Sequence, residues 1–355
     1  MAAHAGGERP SLFGALLNRP RPRALSLIGL GFVGVLAVWL VVNLIKEPRD
    51  FFTIFLIGLT TGMVYALAAL GYTLVYGILQ LINFAHGDVF ALTGLFASTM
   101  ILTVFGLTEE SGTAVVILAL GVTLLAVVTF GATVNTVIER VAYHRLLAAP
   151  RVALLIAAVG MSFLVQNIAL AIYDVNFRRV PEFIPRTDVF SIGGVDYQWN
   201  KLSVILITIP VLLALTWLVR STRQGKAMRA TAQDPDAAAM VGINVNRTIS
   251  FTFALAGGLA GVGALLYLLQ FNIRYDTGFE LGLIAFTSAV LGGIGNLTGA
   301  VLGAVTIGLI QAFNEGLSWA TPGSDWTRSI VFGLLIAILV FRPQGLLGEQ
   351  TADRA

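Results

Sequence analysis

No charged side chain interrupts the chain between Asp50 and Asp88, and this run ends in a compact polar group of Asn83, His86 and Asp88. A helix rises about 1.5 Å per residue and a bilayer core is roughly 30 Å thick, so about 20 apolar residues cross it. The run exceeds one span and must break or extend at its polar end. Charge-free runs recur along the chain near 25–45, 53–79, 89–106, 113–138, 152–173, 202–219, 249–272, 281–295, 298–314 and 329–341. The expected fold is all-α: a polytopic transmembrane helical bundle of about 8–10 crossings with broken or re-entrant helices.

Composition agrees and excludes several chemistries. Hydrophobic residues make up 57% of the 355 and charged residues 12%, against roughly a quarter charged in a soluble domain. There is no cysteine, so disulfides and thiolate metal sites are excluded, and His4, His86 and His144 are the only histidines. A metal site is not expected from that set. A phosphate-binding G-x-x-x-x-G-K-[ST] loop is also missing, because the Gly225–Lys226 pair is followed by Ala227. No cofactor is expected on this chain, and any ATP must be used by a partner. Asp88, Glu139 and Glu280 fall only at span ends, which disfavours a stand-alone ion-coupled carrier with intramembrane carboxylate relays.

The first apolar run follows Arg19, Arg21 and Arg23 and is longer than the roughly 7–15 residues of a signal-peptide core. Residues 1–50 are therefore expected to form a tail plus an extra N-terminal transmembrane helix, followed by one domain over 51–348 and a tail over 349–355. With the N-terminus placed inside, 14 of the 22 Lys and Arg residues fall on the inner face, as the positive-inside tendency requires. Both termini are then expected to be cytoplasmic.

Two regions interrupt the apolar pattern. Between Leu281 and Asn314 the breakers Gly292, Gly293, Gly295, Asn296 and Gly299 predict a hairpin whose arms either cross or re-enter, with close helix packing as the main use of the glycines. Residues 220–247 form the longest polar stretch on the expected inner face. There Thr222 to about Ala232 reads as one short helix, and Asp234 and Pro235 as cap and first turn of a second over Asp236–Val241, ended by Gly242. A basic loop facing anionic lipid would explain Arg220, Arg223, Lys226 and Arg229, but not the capped apolar helix. In the polar group, His86 and Asp88 are expected to cap a helix beginning near Val89, and Asn83, His86 and Asp88 are also candidates for a transport pathway entered at a helix break. The amides of Gln166, Asn167, Gln270, Asn272, Gln311 and Asn314 are read as interhelical hydrogen-bonders, a subset of which could line a pathway.

Five strings, in order, resemble the inner-membrane permeases of bacterial branched-chain amino acid ABC importers, specifically the H-type subunit. They are GYTLVYG and INFAHGD at Gly71–Gly77 and Ile82–Asp88, RQGKAMRATAQDPDAAAMVGIN from Arg223, AVLGGIGNLTGAVLG from Ala289, and FRPQGLLG from Phe341 to Gly348. The resemblance covers about 51–348. It implies a transport subunit rather than an enzyme, sited in the bacterial inner membrane. The implied partners are a second, M-type permease, two ATPase subunits and a periplasmic substrate-binding protein, with no nucleic acid. It also implies that 220–247 is the loop coupling ATP use to transport, through Arg229, Asp234, Pro235, Asp236, Ala238, Met240 and Gly242. The segment 174–201 would then be the docking surface for the binding protein. A urea or short-chain amide permease of the same family is the alternative reading, and a lone channel or carrier is a more distant one.

Overall fold

In the computed structural model, the structure describes residues 23–146, 149–184, 187–192, 194–342 and 344–348. Most of the N-terminal tail and the tail after Gly348 lie outside the described residues. Two compact units are present. In the first, helix α1 (Arg23–Lys46) holds the short segment Ser318–Ala320. Trp39 Nε1 and Asn43 Nδ2 donate to the Trp319 carbonyl at 3.0 and 3.3 Å, and Asn43 Oδ1 accepts from the Trp319 amide at 3.2 Å.

The second unit is a helical bundle. Its helices are α2 (Pro48–Leu79), α3 (Ala85–Thr99, continued by a π-helical turn Met100–Val104), α4 (Thr113–Ile138, continued by a π-helical turn Glu139–Tyr143) and α5 (Arg151–Tyr173). A two-stranded antiparallel hairpin follows, β1 (Asp188–Ile192) with β2 (Val195–Gln198). Next come α6 (Trp199–Ser221), α7 (Arg223–Gln233), α8 (Pro235–Met240), α9 (Val245–Leu268), α10 (Thr277–Gly292), α11 (Leu297–Gly316) and α12 (Thr327–Phe341). Among the described residues, eight helices are long and apolar enough to cross a membrane, and Gly34–Lys46 and Thr277–Gly292 are shorter apolar helices.

Burial divides these helices sharply. In α2, α3 and α9, 72%, 67% and 78% of the span is buried, whereas α4, α5 and α6 bury only 28%, 22% and 17%. The peripheral helices are nevertheless apolar all round, with Leu118, Leu125, Ile156 and Leu213 exposed. A helix of that kind requires lipid as its solvent. The inner helices approach through small residues. Gly257 of α9 and Gly131 of α4 touch backbone to backbone, so a Cβ on either would collide with the other's carbonyl. Such close contact replaces the hydrophobic drive that lipid does not supply between helices.

Candidate functional site

The break between α2 and α3 positions the polar group. Gln80 adopts φ 53° just after α2, and α3 starts at Ala85 rather than near Val89. The expected capping role is therefore corrected: Phe84 occupies the N-cap position and no side chain caps the helix. Asp88 instead points across the bundle and accepts a hydrogen bond from Ser162 Oγ, half-way along α5. Asp88 is an end residue of its own helix, yet it lies at the mid-length of its neighbour, deeper than its sequence position suggests. The His86 ring fills the space that a side chain on Gly71 would occupy and meets Tyr72 edge-on at 4.9 Å.

Asn83 belongs to a separate network. Its Oδ1 accepts from Tyr143 Oη at 2.9 Å, and its Nδ2 donates to Asn135 Oδ1 at 3.4 Å. Asn135 Nδ2 donates in turn to the Phe253 carbonyl of α9 at 2.7 Å. Glu139, fully buried nearby, accepts from Ser250 Oγ at 2.7 Å. The structure thus divides the three sequence candidates: Asn83 ties α4 and α9 to the α2–α3 break, Asp88 reaches α5, and His86 packs on α2. All three are at most 1% exposed.

An open cavity of about 740 Å³ lies at the end of the bundle opposite α7 and α8. Of the amides noted in the sequence, Gln166 and Gln311 line it. Asn167 is bonded to its own helix at the Phe163 carbonyl, Gln270 to the Asn200 carbonyl, and Asn314 to the Gly323 carbonyl and Thr327. Gln311 accepts from Tyr65 Oη at 2.7 Å and donates to Glu315 at 3.1 Å. At the mouth, Arg328 clasps Glu280 at 2.8 and 2.7 Å, and Arg274 clasps Asp276 at 2.6 and 2.5 Å. The bonds to Asp276 hold the Arg274 guanidinium above its ordinary pKa. Sequence reasoning missed this site, because its acids and arginines are scattered over loops and helix ends between Arg274 and Arg328.

At the opposite end, Thr222 caps α7 through Gly225 N at 3.0 Å, and Asp234 caps α8 by accepting from Asp236 N and Ala237 N, both at 3.0 Å. Pro235 occupies the first turn of α8, and Gly242 takes φ 87° after its end, the conformation that terminates helices. Arg229 donates to the Val219 carbonyl in the last turn of α6, where a cation complements the helix dipole. Ala238 and Met240, grouped in the sequence reading, face opposite ways. Ala238 is 3% exposed, against 82% for Met240 and 77% for Val241.

The α10–α11 hairpin uses its breakers structurally. Gly293 and Gly295 have φ of 104° and 94°, Gly292 and Gly299 touch backbone to backbone, and Asn296 caps α11 through Gly299 N at 3.0 Å. Gly278 at the start of α10 packs on Gly87 and Asp88, so α10 begins within the bundle and covers only part of its length. The closing motif has a function that its sequence did not reveal. Leu346 N and Leu347 N donate to the carbonyls of Leu291 and Gly292 at 2.8 and 2.9 Å, satisfying the open C-terminal end of α10.

Residues 54–340 match the family model described as branched-chain amino acid transport system / permease component. The chain is 37% identical over 303 residues to the high-affinity branched-chain amino acid transport system permease protein BraD of Pseudomonas aeruginosa, covering 84% of this chain and 95% of BraD. It is 35% identical over 305 residues to the corresponding permease LivH of Escherichia coli, with the same two coverages. A probable branched-chain amino acid transport permease of Methanocaldococcus jannaschii is 26% identical, covering 79% of this chain and 88% of that protein.

Proposed function

The chain belongs to the branched-chain amino acid transport permease family, and on that premise we propose that it forms part of the membrane pathway of an ATP-driven importer for branched-chain amino acids. ATP is used by two separate subunits. A second, M-type permease completes the pathway, a periplasmic binding protein delivers substrate, and this chain itself carries no cofactor. The observation that carries the reading is α8: a short, doubly capped helix presenting Met240 and Val241 to its surroundings at the end of a polar loop. Exposed apolar side chains on a preformed helix are the usual anchor for a partner's groove. Motion of α8 has a short route into the bundle. Gly225 of α7 lies against the carbonyls of Leu218 and Val219, and Arg229 bonds the latter, so a shift of α7 pulls on the end of α6.

The variants Met240→Asp and Val241→Asp test the reading directly. Both are expected to insert normally, to lose most co-purifying ATPase, and to reduce ATP-dependent leucine uptake in reconstituted vesicles at least about tenfold. Unchanged uptake in both would remove α8 from the coupling path. The orientation that goes with this function places α7 and α8 in the cytoplasm of a bacterium, with both termini, and the β1–β2 hairpin in the periplasm. A reporter active only in the periplasm should stay silent when fused after Arg229 and turn on when fused between Asp188 and Asp196. The reverse pattern would invert the topology.

A further inference from the structure

Glu315 stands where helix stability alone would not put it. It lies in the last turn of α11, at the negative end of the helix dipole, where an anion is disfavoured. Its Oε1 is held by two donors, Gln311 Nε2 at 3.1 Å and Thr327 Oγ1 at 2.9 Å. Among the described residues no cation comes within ion-pair distance of it. The cavity has four acidic residues and two arginines in its lining, and the two arginines are committed to Asp276 and Glu280. Glu315 and Asp325 therefore leave the cavity with excess negative charge. Each arginine binds its carboxylate through Nε and Nη2, which leaves the Nη1 donors of the fork uncommitted. Arg328 is 72% exposed and belongs to the rim. Arg274 is 34% exposed and stacks over Phe177 at 4.7 Å, which makes it the better fixed of the two.

We propose that this cavity is a holding site, within this single chain, for a free amino-acid zwitterion on its way into the pathway. The ligand's ammonium group is taken by Glu315, its carboxylate by Nη1 of Arg274, and an aliphatic side chain by Leu283, Ile284, Val331 and Phe332. The proposal rests on the import reading above and adds to it a site and three recognition elements. A volume of about 740 Å³ falls in the range of ligand pockets, roughly 300–1,000 Å³, and leaves room for water around a molecule of leucine's size. The chain Tyr65–Gln311–Glu315 fixes the carboxylate before any ligand arrives, which reduces the ordering cost of binding.

The test uses the complete import complex in lipid nanodiscs with the binding protein omitted, and radiolabelled leucine as probe. Wild type is expected to bind leucine saturably and to be competed poorly by leucinamide, which lacks the carboxylate, and by 4-methylpentanoate, which lacks the ammonium. Glu315→Gln keeps shape and hydrogen bonding. It should weaken leucine binding at least about tenfold and narrow the gap between leucine and 4-methylpentanoate. Arg274→Gln should narrow the gap to leucinamide instead. Normal leucine binding in Glu315→Gln, or no discrimination among the three ligands by wild type, overturns the proposal. Import of leucine with the binding protein present, but no saturable binding without it, also overturns the holding site and leaves the import reading standing. No import at all overturns the import reading, while the ligand series still decides whether the cavity recognises a zwitterion.

Discussion

The polar group around α3 and the short helix α8 depart from the usual inside–outside rule in opposite directions. In the first, Asn83, His86 and Asp88 are at most 1% exposed, and in the second Met240 is 82% exposed. Asn83 is partnered internally by Tyr143 and Asn135, and Asp88 by Ser162 through one oxygen, while Asp88 Oδ1 and the two His86 ring nitrogens meet no hydrogen-bond partner among the described residues. Within membrane-spanning helices, such pairing stabilises a particular helix arrangement. The exposed apolar groups of α8, Met240 and Val241, are left uncovered by this chain's own core. The Asn83 network, satisfied internally, argues for architecture, and uncovered apolarity on a rigid helix argues for a partner.

The largest effect should come from separating the helices that enclose the buried group. Gly257→Leu drives a side chain into the Gly131 carbonyl and the Asn135 side chain, a backbone collision that no rotamer relieves. Overpacking typically costs about 1–3 kcal/mol and sometimes more. Detergent-solubilised Gly257→Leu is expected to be poorly expressed or to melt well below wild type. A wild-type melting temperature would show that α4 and α9 can part without consequence.

A smaller, split effect is expected on α8. Ala238→Asp places a charge against the chain's own surface and should destabilise by about 1 kcal/mol. Met240→Asp, two positions on, should change stability by less than about 0.5 kcal/mol while still reducing uptake at least about tenfold. Thermal melts of the two variants side by side read out the difference. Equal melts would mean that Ala238 faces outward with Met240.

The smallest effect is expected at Asp88. Asp88→Asn keeps an acceptor for Ser162, and interhelical hydrogen bonds in membranes average about 0.6 kcal/mol, so both stability and leucine uptake should survive. Asp88→Leu removes the acceptor and should lower stability more. An Asp88→Asn variant that melts like wild type but transports nothing would move this carboxylate from architecture into the pathway.

Particular residues show what was legible in the sequence. The apolar runs located every spanning helix to within a few residues, because lipid demands long uninterrupted hydrophobic segments. Asp234, Pro235 and Gly242 gave the cap, first turn and end of α8 correctly, because capping depends on side chains bonding backbone groups two or three residues away, whereas Thr222, read as the first helical residue, is the cap of α7. The same local logic failed at Asp88, whose side chain chose Ser162, 74 residues further on, over the helix end beside it.

Length and hydropathy, together with the cap residues, determined by themselves that this chain is a multi-pass helical protein with a polar loop of two short helices, because each of those properties is written in neighbouring residues. Only the tertiary structure decided which helices form the core, which of the spanning amides reach the cavity, that Leu346 and Leu347 seal α10, and that Glu315 faces the cavity with no cation of the described residues beside it. Those outcomes depend on which helix faces touch. In a bundle whose helices are apolar on every side, hydrophobic periodicity cannot specify a face, and small residues and scattered polar groups select it only once the helices have met.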